Sequence, residues 1–198
     1  MYMYSHRGFT IIELIIALVI VAVLLSMGVP SFSNTIEQNK LSTQINDLVS
    51  SLQYARSESV KTGKRITICK SNTGTGCVAA AAGYESGWII FEDDSPADGD
   101  LDVGEQLLKV HEAMDSNLTL RGNNRFVNFI SYLPSGGIAN ADPNADQDHF
   151  VLCKGNNTAK SRAVYIITSG RVRAAKDSNS DKIPEDDSGT NITTCTPA

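Results

Sequence analysis

The sequence predicts an α+β fold: one long N-terminal helix, membrane-spanning in its first half, packed through its second half on the antiparallel β-sheet of a C-terminal globular domain. Three observations carry this. An apolar run occupies Phe9 to Val29, an amphipathic repeat follows it, and the remaining chain is a series of short β-rich segments separated by Gly, Asn, Asp and Pro.

The run from Phe9 to Val29 is 21 residues long with Glu13 as its one charge, enough to cross about 30 Å of hydrocarbon as a helix. Arg7 on its N-terminal side places that end in the cytoplasm and the rest outside it. No small-residue cleavage site follows the run, so the segment is expected to stay attached. Past Pro30 the apolar residues Ile36, Leu41, Ile45, Leu48, Val49, Leu52 and Ala55 recur at helical spacing. Gly63 reads as the C-cap, with Lys61, Lys64 and Arg65 at the negative end of the helix dipole. One helix from Phe9 to Thr62 is therefore expected, loosened near Gly28–Pro30. RITIC, WIIF, QLLKV, LTLR, FVNFI, FVLC, AVYIIT and RVRA then read as strands.

Composition is that of a folded protein, 41% hydrophobic and 20% charged, and the net charge of −5 argues against a chain that coats nucleic acid generally. The four cysteines are an even set for an exported domain, and four allow three pairings. Cys69 and Cys77 bracket the turn SNTGTG and suit a short closed loop; Cys153 and Cys195 would then tie the C-terminus to a strand. Those two disulfides are the expectation, ahead of a metal site, because no C-x-x-C spacing occurs.

An acid at the start of a membrane span needs a reason, since an ionised carboxylate in lipid costs at least a few kcal/mol unless it has a partner. Gly8, Phe9, Thr10 and Glu13, followed by the apolar run and Pro30, resemble the class III signal of type IV pilins and pseudopilins. The long helix, the GW-x-x-F-x-D stretch from Gly87 to Asp93, the acidic loop ending in GEQLL and the late SGRVR narrow the resemblance to the FimT/GspH group of minor pilins and pseudopilins.

The resemblance implies a type IV pilin-like chain in four parts: a leader peptide 1–8, a transmembrane and filament-core helix 9–29, its amphipathic continuation 30–63, and a periplasmic or extracellular domain 64–198. It implies cleavage between Gly8 and Phe9 by a prepilin peptidase, N-methylation of Phe9, and pairing of Glu13 with the new amine of a neighbouring subunit. The expected location is the bacterial inner membrane for the precursor, then a pilus reaching from the periplasm to the cell surface. Major and minor pilins are the expected partners.

No catalytic arrangement stands out: G-x-S-x-G and H-E-x-x-H are absent, and Gly63-Lys64 lacks the spacing of a phosphate-binding loop. An enzyme is not expected, nor a resident cofactor. Calcium is the one ion the spacing admits. Asp94, Asp98, Asp100, Asp102 and Glu105 fall at positions 1, 5, 7, 9 and 12 of an EF-hand-like loop, with Pro96 at position 3. A solvated acidic connection between strands explains the same residues and is the favoured reading.

The segment Phe150–Lys176 carries six cations (Lys154, Lys160, Arg162, Arg171, Arg173 and Lys176) and no acid, whereas Asp177–Asp187 holds five acids and one lysine. Within it, YIITSGRVRA reads as a hairpin turning at Ser169-Gly170, which sets Arg171 and Arg173 on one face and Val172 on the other. Adjacent guanidinium forks suit successive phosphates. In the FimT group a Gly-Arg-x-Arg motif at this place is implicated in DNA binding during natural transformation, and Gly170, Arg171 and Arg173 match it; Lys160, Arg162 and Lys176 are the expected flanking cations. The expected ligand is double-stranded DNA without sequence preference. The resulting expectation is a minor type IV pilin at or near the pilus tip. Two rivals are a GspH-like pseudopilin of type II secretion with no DNA role and a membrane-anchored calcium-binding module.

Overall fold

The computed structural model describes residues 8–78, 83–94, 96–139, 148–155, 157–185 and 189–195, the side chains of 27–31 and 124 excepted. The chain forms two compact units, Met1–Lys40 and Leu41–Ala198. Helix α1, Ile11–Thr62, contributes to both.

In the first unit Thr10 caps the helix. Its carbonyl accepts the Leu14 N–H at 3.2 Å and its Oγ1 accepts the Glu13 N–H at 3.3 Å. The T-x-x-E spacing of Thr10 and Glu13 is that of a capping box, so the acid also sits where the positive end of the helix dipole favours it. The helix that follows is apolar all round. Leu14, Ile15 and Ile16 point about 100° apart, yet each is at least 50% exposed. Such a cylinder needs lipid or other helices around it. Among the described residues no helix is long and apolar enough to cross a membrane; the expected span 9–29 ends in side chains outside that description.

The second unit is built on the other half of α1. Leu41, Ile45, Leu48, Leu52 and Ala55 are buried, a stripe at steps of three and four that faces both sheets. Ile36, expected on this stripe, belongs to the first unit and is exposed. The helix ends at Thr62, and Gly63, at φ +70°, donates its N–H to the Ser59 carbonyl. That is the expected left-handed cap.

Strands β1 (Ile66–Lys70), β2 (Trp88–Glu92), β3 (Leu107–His111) and β5 (Phe129–Tyr132) form one antiparallel sheet in the order β3-β2-β1-β5. Strands β4 (Leu118–Gly122), β6 (His149–Lys154), β7 (Asn157–Ile166) and β8 (Val172–Ala174) form a second, β4-β6-β7-β8. The segment FVNFI is not one strand. Residues Asn124–Phe126 make a 3-10 turn closed by the Phe126 N–H on the Asn123 carbonyl, and pairing starts only at Phe129. The turn lets Phe126 stack on Phe150 in the core at 5.4 Å. Strand β7 begins six residues before AVYIIT: Ser161 and Arg162 pair with Cys153 and Leu152, and Asn157 pairs with Lys154 across an irregularity in register.

Each sheet also buries its outer face. Cys69, Ile89 and Phe91 pack beside their sheet neighbour Phe129 and against Cys77 and Leu101, while Val151, Cys153, Ala163 and Tyr165 pack against Ile192 and Cys195. The expected disulfides Cys69–Cys77 and Cys153–Cys195 are both present.

Candidate nucleic-acid interface

The β7–β8 hairpin has the expected turn. The Gly170 N–H donates to the Ile167 carbonyl at 2.7 Å and the Ile167 N–H to the Arg171 carbonyl at 3.1 Å, which leaves Thr168, Ser169 and Gly170 as the loop. A loop of this length needs its last residue in the left-handed region, and Gly170 has φ +76°. Its lack of a side chain matters for a second reason: a Cβ there would stand 2.0 Å from the Gly136 carbonyl oxygen. The glycine of the Gly-Arg-x-Arg motif is thus a packing requirement.

Beyond the turn, Ile166 pairs with Val172 and Tyr165 with Arg173. Val172 packs on the main core, and Arg171 and Arg173 are exposed. The turn is fixed from beneath by a residue the sequence did not single out. Arg56, on α1, donates from Nε to the Gly136 carbonyl at 2.9 Å and from Nη2 to the Ser169 carbonyl at 3.1 Å. Gln53, Arg56 and Ser57 share a helix face and line, with Gly170, Arg171 and Val172, a depression of about 340 Å³. The one sequence signal for Arg56 is a cation directly beside the apolar stripe, after Ala55.

With this geometry in place, comparison with known proteins decides the family. The family described as Type II transport protein GspH matches residues 44–170, nearly two thirds of the chain. The chain belongs to the GspH family. The prokaryotic N-terminal methylation motif matches residues 3–29 as well. Two crystal structures of the type IV minor pilin FimU of Pseudomonas aeruginosa are similar in fold. One has a TM-score of 0.55 at 21% identity, over 80% of this chain and 97% of that one. The other has 0.52 at 20% identity, over 78% and 99%. The minor pseudopilin EpsH of the Vibrio cholerae type II secretion system aligns with a TM-score of 0.45 at 10% identity, over 68% of this chain and 95% of that one. No curated protein matches the chain.

Two of the expected flanking cations of this GspH-family chain lie on the opposite face of the sheet from Arg173. Lys160 and Arg162 alternate with Ser161 and Ala163 along β7 and so take the face of Val164 and Ile166, whereas Arg173 takes the face of Tyr165. Lys176 is tied to the tail: its carbonyl accepts the Glu185 N–H at 2.8 Å. Among the described residues of the acidic tail, three carboxylates bond within it. Asp177 accepts the Lys182 N–H at 2.9 Å, and Glu185, 6% exposed, accepts the Ser178 N–H at 2.7 Å. Asp181 accepts from the Ile183 N–H and from the Asn191 and Asn179 side chains, and these bonds hold its pKa below the usual carboxylate value. Tyr165 donates to the Glu185 carbonyl at 3.2 Å, which seats the tail on the face of the sheet that Arg173 shares.

The acidic loop lies between β2 and β3. Glu105 is occupied by backbone donors, the N–H groups of Asp94 and Asp102, each at 2.9 Å, and Asp98 accepts from the Asp100 N–H at 3.1 Å. Desolvation first, then Asp98, Glu105 and Asp100, push the Asp102 pKa up. Among the described residues no three acidic, His or Cys side chains converge as a metal-holding group.

Proposed function

We propose that this GspH-family chain is a minor type IV pilin, assembled at or near the pilus tip after cleavage between Gly8 and Phe9 and N-methylation of Phe9. The observation that carries the assembly role is the first half of α1, which is apolar around its circumference and lies largely within residues 3–29, the segment the methylation motif matches. Lipid in the precursor and neighbouring helices in a filament are environments that satisfy such a surface. In this reading Glu13, at the capped helix start, pairs with the amine of an adjacent subunit. Intact-mass analysis of membrane-extracted protein should give a chain starting at methylated Phe9, and a Met1 start would remove this reading. Glu13→Ala should be processed and should assemble poorly.

The second part of the proposal is DNA capture through Arg171 and Arg173, supported by their exposure on either side of the inward-facing Val172. Phosphate contacts carry no base information, so random duplexes of one length should bind alike. Replacing both arginines by alanine should flatten the log–log salt slope by about 1.8, at about 0.9 per phosphate. Unchanged DNA retention in the double variant favours instead a pseudopilin of type II secretion.

A further inference from the structure

An arginine removed from water without a counter-charge is costly, and in this domain arginines are generally given one. Arg65 pairs with Asp93, Arg121 with Glu85 and Arg125 with Asp148. Arg56 and Arg171 differ. Among the described residues neither has a carboxylate within ion-pair distance, and the half-buried Arg56 meets only the neutral carbonyls of Gly136 and Ser169. These two arginines line the same depression, with the exposed Gln53 and Ser57 and no acidic residue. Beside it, the fully buried Tyr132 has a hydroxyl without a hydrogen-bond partner among the described residues, and its ring edge lies against Gly170.

We propose that the depression between α1 and the β7–β8 turn is a phosphate subsite, with Arg56 and Arg171 as its two cations and Gln53 and Ser57 as neutral donors on its rim. An anion here supplies the missing counter-charge, and a phosphate oxygen pair matches a guanidinium fork. The subsite rests on the geometry of the depression; its ligand's source, the backbone of DNA, rests on the reading above. Under that reading the strand does not stay on the hairpin. It crosses from Arg173 over Arg171 onto the helix, so α1 forms part of the binding surface.

The test uses the full chain in zwitterionic detergent, with two arms. In the first, arginine Nε–H resonances are followed while inorganic phosphate is added. Arg56 and Arg171 should shift with one common dissociation constant, and Arg171→Ala should weaken the Arg56 response by about tenfold, the loss of one charge-assisted hydrogen bond. A silent Arg56, or separate constants for the two, overturns the subsite. In the second arm, Gln53→Glu places a carboxylate on the rim without touching the bonds that hold the turn, and Ala113→Glu places the same charge on the exposed segment after β3 as a control. Gln53→Glu should flatten the DNA salt slope by about 0.9, one phosphate contact, and Ala113→Glu should not. If phosphate binds but both variants retain DNA alike, the subsite stands and its ligand is not DNA. If the wild-type chain binds phosphate at Arg56 and no DNA, the DNA reading alone fails. If Arg173→Ala weakens DNA binding while Arg56 ignores phosphate, the DNA reading stands and the subsite falls.

Discussion

The outer faces of the two sheets are covered by the same kinds of part, an acidic segment beside a disulfide, and are held in different ways. Over the first sheet the loop from Asp93 to Gln106 joins neighbouring strands and is anchored at both ends. It sets Leu101 beside Cys77, and the Gly99 carbonyl lies 3.4 Å from the Cys77 sulfur. Over the second sheet the tail continues from β8, and the Cys153–Cys195 disulfide fastens it again. Their carboxylates divide accordingly. In the loop, Asp93 Oδ1 and Asp102 Oδ2 are buried without a hydrogen-bond partner among the described residues. Burial raises the pKa of Asp93 against the opposing Thr67 hydrogen bond and Arg65. In the tail, Asp177, Asp181 and Glu185 all accept hydrogen bonds that build the segment. The loop is fastened by Glu105 and Asp98 and leaves one buried oxygen each of Asp93 and Asp102 unbonded, whereas Asp177, Asp181 and Glu185 all serve as fastenings of the tail.

Removing the disulfides should break this comparison most strongly. Cys153 and Cys195 are 42 residues apart and Cys69 and Cys77 are 8 apart. On the chain-entropy account their loss costs about 4 and about 2.5 kcal/mol respectively. Urea unfolding of the two double-serine variants should rank them in that order. Hydrogen exchange should show 189–195 exposed in the first variant and the loop largely retained in the second.

Glycine substitutions sharpen the contrast next. A Cβ on Gly99, at φ +92°, would meet the Phe129 ring at 2.5 Å, while one on Gly189, at φ +81°, meets nothing within 4 Å. Gly99→Ala combines backbone strain with overpacking and should cost about 2–3 kcal/mol. Gly189→Ala carries the strain alone, about 1 kcal/mol. Equal melting shifts would mean that the loop is not packed on Phe129 as described.

The smallest effect is a difference of sign with pH. Asp93 and Asp102 have raised native pKa values, so their ionisation opposes the folded loop, and that opposition is relieved as pH falls through those values, above the ordinary 3.8. Asp181 has a lowered native pKa, so its contribution is present above 3.8 and is lost only as pH falls through a value below it. Mild acidification should therefore increase amide protection in the loop while leaving the tail unchanged, and stronger acid should release the tail. Amide exchange followed from neutral to acidic pH, corrected for intrinsic rates, checks both; loss of loop protection on mild acidification contradicts the assignment.

Much of this architecture was written locally in the chain. The stripe from Leu41 to Ala55, the stop at Thr62-Gly63 and the hairpin at Ser169-Gly170 depend on residues within one or two turns of each other, and periodicity or turn chemistry reveals such relations. The disulfide pairing followed from spacing, because the close pair closes a short loop and leaves one alternative for the rest. The Phe126 turn was misread as strand because its aromatic and β-branched residues suit both, and stacking on Phe150 decided between them.

The candidate site divides in the same way. Arg171 and Arg173 were legible as a motif, with the alternation that exposes them. The sequence did not determine that Gly170 must fit against the Gly136 carbonyl, that Lys160 and Arg162 take the other face of the sheet, or that Asp177, Asp181 and Glu185 bond within the tail. Least of all did it determine Arg56, which reaches loops 80 and 113 residues away in the chain. Contacts over such separations leave no period and no spacing in a single sequence. They exist only once helix and sheet have closed on a shared core, and that closure sets the second arginine beside the first.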